Sequence, residues 1–255
     1  MNAILDYKTY TTEMNKGIDD KLFFMNLLKL DSLLDYGCAD GNLIEHMQYN
    51  FPDVKYVGYD FNEKMINMAK NKNIPNSFFS FDLKEAKSHL LKKSGILCSS
   101  LIHEVYSYGT PEQIEDFWKE IYSGDYDYVI IRDMALSQES LNNNPLSLFS
   151  DIAKVRNKAS KKHLEQFESI WGSIDDRKNL IHFLLKYRYV NNWSREVFEN
   201  YLPCSIEEHF SKIPDFYEIV HFEHFVLPFQ KEVIMKDFGI SLEESTHIKV
   251  ILKKK

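Results

Sequence analysis

Two glycines, preceded by one acid and followed by another, have the types and spacing of a nucleoside-binding site. The run Leu33–Leu43 holds Asp35, Gly37 and Gly41, and Asp60 lies downstream. Glycine lets the main chain approach a ligand closely, and a helix that begins just after a glycine turn offers free N–H groups to that ligand. In a nucleotide-binding βαβ unit, an acid about 20 residues beyond the turn reaches the ribose hydroxyls. The pattern therefore predicts that a nucleoside binds here.

The spacing of the glycines separates one nucleoside class from another. The dinucleotide fingerprint is G-x-G-x-x-G, whereas here Ala39 occupies the middle position between Gly37 and Gly41. A pyrophosphate cradle is therefore poorly supported. The stretch instead resembles the first motif of class I S-adenosylmethionine-dependent methyltransferases, an acid followed by G-x-G-x-G or a close variant. The resemblance covers residues 30–133 closely and 203–255 in outline.

The resemblance implies which positions hold S-adenosyl-L-methionine and, after transfer, S-adenosyl-L-homocysteine. In that family the glycine turn passes under the methionine part of the cofactor, and the acid that ends the second strand, here Asp60, holds the ribose. The acid after the third strand, here Asp82, meets the adenine ring; alternatively it only caps the following helix. The positions assigned to the cofactor site on this basis are Asp35, Gly37, Cys38, Gly41, Asp60, Phe61, Asp82, Leu83 and Leu101.

Hydrophobic periodicity predicts the elements that position these residues. Apolar runs, each followed by helical spacing, predict five strands that begin near Leu33, Lys55, Ser77, Gly95 and Tyr126. Such alternation gives a parallel sheet with right-handed crossovers. The resemblance implies a closing antiparallel strand pair, which Phe216–Val226 and Thr246–Leu252 fit. We therefore predict an α/β fold with a Rossmann-like seven-stranded, mostly parallel sheet, an antiparallel last strand, flanking helices and a helical insertion after strand five.

The same reasoning divides the chain into four segments. They are an N-terminal helical segment at 1–30, a cofactor-binding core at 31–133, a helical insertion or cap at 134–192, and the completion of the sheet at 193–255. In class I methyltransferases a segment before the first motif often closes over the cofactor. Tyr7 or Tyr10 could do so here, and Tyr10 is a candidate for the substrate site. Alternatively, both tyrosines pin a helix to the core.

Catalytic residues should belong to the segment that follows the fourth strand. Ligands of open parallel sheets bind outside the carboxyl ends of the strands, where the strand order reverses. Methyl transfer from a sulfonium gains much of its rate from alignment of the reactants, and a hydroxyl acceptor also needs a base. His103 is the candidate base, since histidine titrates near neutral pH, and Glu104 is the second catalytic candidate. The alternative is that both pack against the cofactor, with Glu104 capping a turn.

Aromatic and basic residues near the same rim are candidates for the substrate site. Tyr106 and Tyr108 could wall a pocket for a planar or cationic group, or simply belong to the core. Arg132 ends the fifth strand and could clamp an anionic substrate. An ion pair of Arg132 with Asp133 or Glu104 is the alternative.

Composition and charge exclude several classes. The chain has 255 residues, 44% of them hydrophobic, which fits one α/β domain with an insertion. The net charge of −7 argues against a protein that coats DNA.

Cysteines at 38, 98 and 204 are too scattered for a disulfide framework or a zinc site, and they favour a reducing cytoplasm. His221 and His224 would face opposite sides of a strand, so we predict no metal. No apolar run could span a membrane.

We interpret the chain as an S-adenosylmethionine-dependent methyltransferase that modifies an O or N acceptor. A small molecule is the first choice, because the charge is acidic and the insertion could form a lid. RNA, for example tRNA, is the second, contacted through a predicted helix that carries Lys154–Lys162; that helix could equally be a solvated surface. A non-catalytic cofactor-binding partner subunit is the third. The sequence leaves the acceptor and the oligomeric state open.

Overall fold

A single seven-stranded sheet organises the computed structural model, which describes residues 18–142 and 147–255 except for the side chain of Asp19. Tyr7 and Tyr10 lie outside the described residues. The strands are β1 (Ser32–Tyr36), β2 (Lys55–Tyr59), β3 (Ser77–Ser80), β4 (Ser94–Ser99), β5 (Tyr128–Met134), β6 (Tyr217–Phe225) and β7 (His247–Lys254).

The strand order is β3-β2-β1-β4-β5-β7-β6. The first five strands pair in parallel, whereas β7 runs antiparallel to both β5 and β6. The predicted fold class is therefore confirmed. Because the chain moves outward from β1 to β3 and then returns to place β4 on the other side of β1, the strand order reverses between β1 and β4. The carboxyl ends of these two strands are the expected ligand edge.

Helices cover both faces of the sheet and build the cap. In the described residues they are α1 (Ile18–Lys21), α2 (Asn42–Asn50), α3 (Glu63–Asn71), α4 (Leu83–Ser88), α5 (Ile102–Tyr108), α6 (Pro111–Ile121), α7 (Gln138–Asn142), α8 (Leu148–Lys158), α9 (Lys161–Trp171), α10 (Arg177–Lys186), α11 (Trp193–Glu196), α12 (Ile206–Phe210) and α13 (Pro228–Phe238). Each of them is too short or too polar to span a bilayer.

Side-chain caps mark where several of these helices begin. The Asn62 side chain accepts a hydrogen bond from a backbone N–H in the first turn of α3, and Asp82 does the same for α4. Thr110 forms a capping box with Gln113, and Pro111 occupies the first position of α6. These residues satisfy N–H groups that a helix start leaves without partners. The sequence predicts the caps because each needs only neighbouring residues.

The cap, residues 134–192, contributes helices α8 to α10 to an apolar core that is completed by α11 and α13. Val155, Phe167 and Phe183 are buried there with Phe238 of α13. The helix α13 lies between β6 and β7, where the sequence analysis expected a simple strand pair. The cap is therefore packed against a segment that follows it in sequence by about forty residues.

Three other expectations differ from the structure. The basic run is not one helix: α8 ends at Lys158, and Ser160 caps a second helix, α9. Between 18 and 30, helix is confined to α1, and turns follow it. The sequence also predicts a helix from Trp193 to Leu202, but α11 ends at Glu196. In each case, packing or a new cap interrupts a pattern that local spacing would allow to continue.

Candidate active site

A recess lies where β1 meets α2, at the predicted ligand edge. The turn between them contains Gly37 and Gly41, both with positive φ (85° and 72°). A Cβ at Gly37 would lie 2.7 Å from Leu101 Cδ1, and a Cβ at Gly41 would lie 2.9 Å from the Phe79 ring. Only glycine therefore fits at either position. The recess is lined by Ile18, Lys21, Asp35, Gly37, Cys38, Asp40, Asn42, Leu43 and Ser99.

Asp60 ties this turn to the end of β2. Its Oδ2 accepts a hydrogen bond from the Ala39 N–H at 3.0 Å, and its Oδ1 accepts one from the Asn62 N–H at 2.8 Å. Burial raises the pKa of this carboxyl, while the two N–H donors oppose that change. A carboxylate has about four lone-pair positions, so each oxygen can accept a further bond from a ligand hydroxyl.

An acid and an amine lie together in the recess. Burial raises the pKa of Asp35 to about 7, and the positive charge of Lys21 opposes that change. Burial also lowers the pKa of Lys21 to about 8, helped by the nearby charge of Arg132. The Ser99 Oγ is buried and has no hydrogen-bond partner among the described residues. The recess therefore offers an acid, an amine and an unsatisfied hydroxyl, a set that fits the ammonium and carboxylate of an amino acid.

The predicted adenine-binding positions surround the ends of β2 and β3. Phe61 is 65% exposed, so its ring is available to stack on a planar base. Asp82 is exposed and accepts the Glu85 N–H at 2.9 Å, which makes it the cap of α4. Leu83 follows it and is partly buried. The cap role of Asp82 is thus present, and it leaves the second carboxylate oxygen free for another contact.

A buried network of charged groups lies at the ends of β4 and β5. Asp133 accepts the backbone N–H groups of Ile102 at 2.6 Å and Met134 at 2.8 Å, and its Oδ1 lies 2.9 Å from His103 Nδ1. Burial raises the pKa of Asp133, but His103 and the two N–H donors outweigh it and lower that pKa to about 2. Burial likewise lowers the pKa of His103, but Asp133 and Glu199 outweigh it and raise that pKa to about 9. The imidazole is therefore protonated at neutral pH.

Two residues of the network come from the segment that follows the cap, and sequence reasoning missed both. Arg195 Nη2 lies 3.0 Å from Glu104 Oε1 and 2.8 Å from Glu199 Oε1. Glu199 also accepts the Tyr108 hydroxyl at 3.0 Å, and its Oε2 lies 3.7 Å from His103 Nε2. Burial, with the neighbouring acids, raises the pKa of Glu199 to about 8. The available signal was the i, i+4 spacing of opposite charges within an otherwise aromatic stretch.

Lys186 fixes the segment that carries Arg195 and Glu199. Its side chain is fully buried, and its Nζ donates hydrogen bonds to the backbone carbonyls of Glu196 and Glu199. The same Nζ lies 4.5 Å from the centre of the Tyr201 ring. Burial lowers the pKa of Lys186 to about 7. These contacts fix the end of the short helix α11 and the turn that follows it up to Glu199.

His103, Glu104 and Glu199 also resemble a set of metal ligands, since their donor atoms lie within 4.8 Å of one another. However, the guanidinium of Arg195 contacts both carboxylates, at 3.0 and 2.8 Å. A cation would have to displace this charged group. The geometry is therefore that of an ion-pair network.

Arg132 does not have either of the partners expected for it. Its guanidinium donates to Asp20 Oδ2 through Nε at 3.0 Å and Nη2 at 2.9 Å, and to Ser100 Oγ at 3.0 Å. Asp133 and Glu104, the expected partners, instead contact His103 and Arg195. The expected pairs were wrong because β5 directs Arg132 and Asp133 to opposite faces of the sheet.

The other candidates divide between site and core. Tyr108 lies in the network, whereas the Tyr106 hydroxyl accepts a hydrogen bond from Trp118 Nε1 at 3.0 Å. His221 stacks on Phe23, and His224 Nε2 is 3.3 Å from the Ala135 carbonyl. The three cysteines are buried thiols.

Among the basic residues of the cap, ion pairs join Lys154 to Asp151, Arg156 to Glu168 and Asp175, and Lys161 to Glu165.

Comparison with known proteins gives one family and a shared fold. A family model described as a methyltransferase domain matches residues 10–199. The structure of the plantazolicin methyltransferase BpumL, in complex with a pentazolic desmethylPZN analog and SAH, is similar with a TM-score of 0.51 and 14% identity, over 97% of this chain and 90% of that chain. A SAM-dependent methyltransferase from Archaeoglobus fulgidus gives a TM-score of 0.50 and 16% identity, over 98% and 100%. No curated protein matches.

Proposed function

Because this chain belongs to the methyltransferase-domain family and is an S-adenosyl-L-methionine-dependent enzyme, we propose that it methylates an oxygen or nitrogen atom of a small molecule. The supporting observation is the contact between the segment after the cap and α5. Arg195 reaches Glu104, and Glu199 reaches Tyr108. An acceptor would therefore approach the recess beneath a covering segment, which suits a small molecule better than a polymer.

The recess has the chemical groups that the cofactor requires. When bound, S-adenosyl-L-methionine supplies a methyl group on a positively charged sulfur. Asp60 would accept the ribose hydroxyls, since each of its oxygens has a lone pair left. Asp35 would receive the ammonium and Lys21 the carboxylate of the methionine part, and the turn at Gly37 would let the main chain pass close beneath it.

The acceptor would lie along one stripe of α5. Leu101, Glu104 and Tyr108 are spaced i, i+3 and i+7, so they share a face that runs from the glycine turn to the segment after the cap. Glu104 is 28% exposed, and Tyr108 is partly buried. The stripe therefore offers a carboxylate and a phenol to an acceptor that reaches the recess.

His103 and Glu199 would hold the proton that an acceptor gives up. His103 is already protonated at neutral pH, because Asp133 and Glu199 outweigh its burial and raise its pKa to about 9. The imidazole alone is then a poor base. The adjacent Glu199 carboxyl, whose pKa burial raises to about 8, is better suited to exchange a proton near neutral pH. We assign the proton-accepting role to the ionised form of Glu199, with the protonated imidazole of His103 beside it and Asp133 holding that imidazole in place.

RNA is a weaker candidate for the acceptor. The basic residues that would contact phosphates are mostly paired with acids of the same cap, and the net charge of the chain is −7. Phosphate contacts require cations that can exchange counterions with the nucleic acid. The ion pairs would have to break first. If RNA binding occurred, it should weaken steeply with salt, while a small acceptor should barely respond.

The test is a labelling experiment with deuteromethyl S-adenosylmethionine and a cell extract separated into small-molecule and RNA fractions. Mass spectrometry should detect label in the small-molecule fraction, and an Asp60→Ala variant should give much less label at the same cofactor concentration. Label confined to RNA would replace the proposal with the RNA alternative. Cofactor binding without label in either fraction would identify a non-catalytic cofactor-binding subunit.

A further inference from the structure

The outer edge of β6 is the longest unpaired strand edge in the described sheet. Its nine residues, Tyr217–Phe225, end the strand order, and no strand within 18–142 or 147–255 pairs with its outer side. Ile219, Val220 and Phe222 are between 41% and 46% exposed. An unpaired edge with apolar side chains presents backbone donors and acceptors that another strand can use.

The two edges of the sheet differ in how they are protected. The opposite edge, β3, has only four residues, and short edge strands resist pairing. By contrast, Tyr217–Phe225 contains neither lysine nor proline, the residues that most often block an edge. A register irregularity between Ile219 and His221 leaves the half from His221 to Phe225 regular. This half is therefore suited to pairing.

We propose that two copies of this chain associate through antiparallel pairing of β6, with the two-fold axis at Phe222. In this register, each His221 lies opposite Glu223 of the second copy, and the two Phe222 side chains meet at the axis. Within one copy, His221 Nε2 and Glu223 Oε1 are already 3.1 Å apart. Pairing would thus create two further contacts between a histidine and a carboxylate on one face, and an apolar contact on the other.

The two neighbouring registers lack this donor–acceptor pairing. An axis at Glu223 would oppose two carboxylates, and like charges directly opposite each other destabilise an antiparallel pair. An axis at His221 would oppose two imidazoles and place no histidine opposite a carboxylate. Of these three registers, only the one about Phe222 sets each imidazole opposite a carboxylate and one aromatic ring opposite another. The partner of this edge is a second copy of the same chain.

Sedimentation velocity of the purified full chain over a concentration series tests the proposal. The mass should rise from 30.2 kDa towards twice that value. Phe222→Glu would place two carboxylates at the axis, so it should leave only monomer. The matched control is Phe229→Glu, which changes a 51% exposed phenylalanine on α13 and should leave the dimer intact. A wild-type monomer at every concentration, or equal behaviour of the two variants, would overturn the proposal.

A cysteine cross-link tests the register without relying on a charged substitution that could perturb folding. Opposite residues of an antiparallel pair have Cα atoms about 4.5–5.5 Å apart, within the range for a disulfide. Phe222→Cys should therefore form a disulfide-linked dimer under mild oxidation, whereas Ile219→Cys, away from the axis, should not. Equal cross-linking by both variants would contradict the register. Neither measurement depends on methyl transfer, so the proposal can fail independently of the proposed function.

Discussion

Replacing Asp60 with alanine should weaken the binding of S-adenosylhomocysteine by about 100-fold to 1,000-fold. Each Asp60 oxygen accepts one backbone N–H, at 3.0 and 2.8 Å, and retains a lone pair for one ribose hydroxyl. A hydrogen bond to a charged group contributes about 1.5–3 kcal/mol, so two contribute about 3–6 kcal/mol. At about 1.4 kcal/mol per tenfold in affinity, the range is about 100-fold to 10,000-fold. Asp60 is partly exposed, and water lowers the expected effect to the weaker half of this range.

Isothermal titration calorimetry with S-adenosylhomocysteine measures the effect directly. Asp60→Asn should give a smaller loss than Asp60→Ala, since an amide oxygen can still accept one N–H of the turn. The matched control is Glu63→Ala, which removes an exposed carboxylate from the first turn of α3. A surface change of this kind costs about 0.5 kcal/mol or less, so its affinity should stay within about threefold of the wild type.

Two results would refute the reasoning about Asp60. The first is an Asp60→Ala variant that binds within about threefold of the wild type, a change of about 0.6 kcal/mol, with an unchanged thermal unfolding curve. The second is a wild-type protein that ignores this nucleoside and binds NAD instead. A variant with lowered thermal stability would not separate the loss of ribose contacts from a disordered turn, and Asp60→Asn is included for that reason.

The other predictions concern the turn and the buried network. Gly41→Ala and Gly239→Ala should each lower the free energy of unfolding by about 1–2 kcal/mol, because both glycines have a positive φ, 72° and 71°. Urea unfolding should show a further loss of about 1–3 kcal/mol for Gly41→Ala alone, because its Cβ meets two side chains. Folding raises the pKa of His103 from 6.5 to about 9, so this residue stabilises the fold fully below pH 6.5 and loses that effect as the pH rises through 9. Over that range, the difference in unfolding free energy between the wild type and His103→Gln should narrow by about 3 kcal/mol. The control is His46→Gln, at an exposed site, whose unfolding free energy should follow that of the wild type. Arg195→Met should lower the free energy of unfolding by about 3–5 kcal/mol, because it leaves buried carboxylates uncompensated, and Arg195→Lys should lower it less. Equal losses of stability in the two variants would show that the charge is not what stabilises the network.

The glycine turn was predictable because its causes are local. Asp35, Gly37 and Gly41 lie within seven residues, and the positive φ values need only glycine and a strand-to-helix change of period. Asp60 is the end of the next strand, and a parallel βαβ unit brings it beside the turn by topology alone. The resemblance to a family supplied what topology could not, namely the place of the antiparallel strands.

The cap was less predictable because long-range packing decides its form. The basic run reads as one helix on spacing alone, but Ser160 caps a new helix after Lys158. The helix Pro228–Phe238 begins at a proline and buries Ile234 and Phe238 in the cap core. The ring of Phe238 packs on that of Tyr187, which lies 51 positions earlier in the chain, and no local window can detect such a contact.

The buried network around Glu199 could not be predicted from the sequence, because its contacts join residues that are far apart in the chain. Glu199 meets Tyr108 across 91 positions, and its i, i+4 spacing from Arg195 does not reveal this contact with α5. Burial and the neighbouring acids raise the pKa of Glu199, while Arg195 and His103 oppose that change. Burying the carboxylate is unfavourable unless these two cations compensate its charge, so the same two residues hold the segment after the cap on α5. A residue with a raised pKa, close to the ligand edge and paired with a buried arginine, is the kind that active sites contain. In the function proposed above, proton transfer and the covering of the recess depend on the same ion pairs, so a substitution that alters one should alter the other.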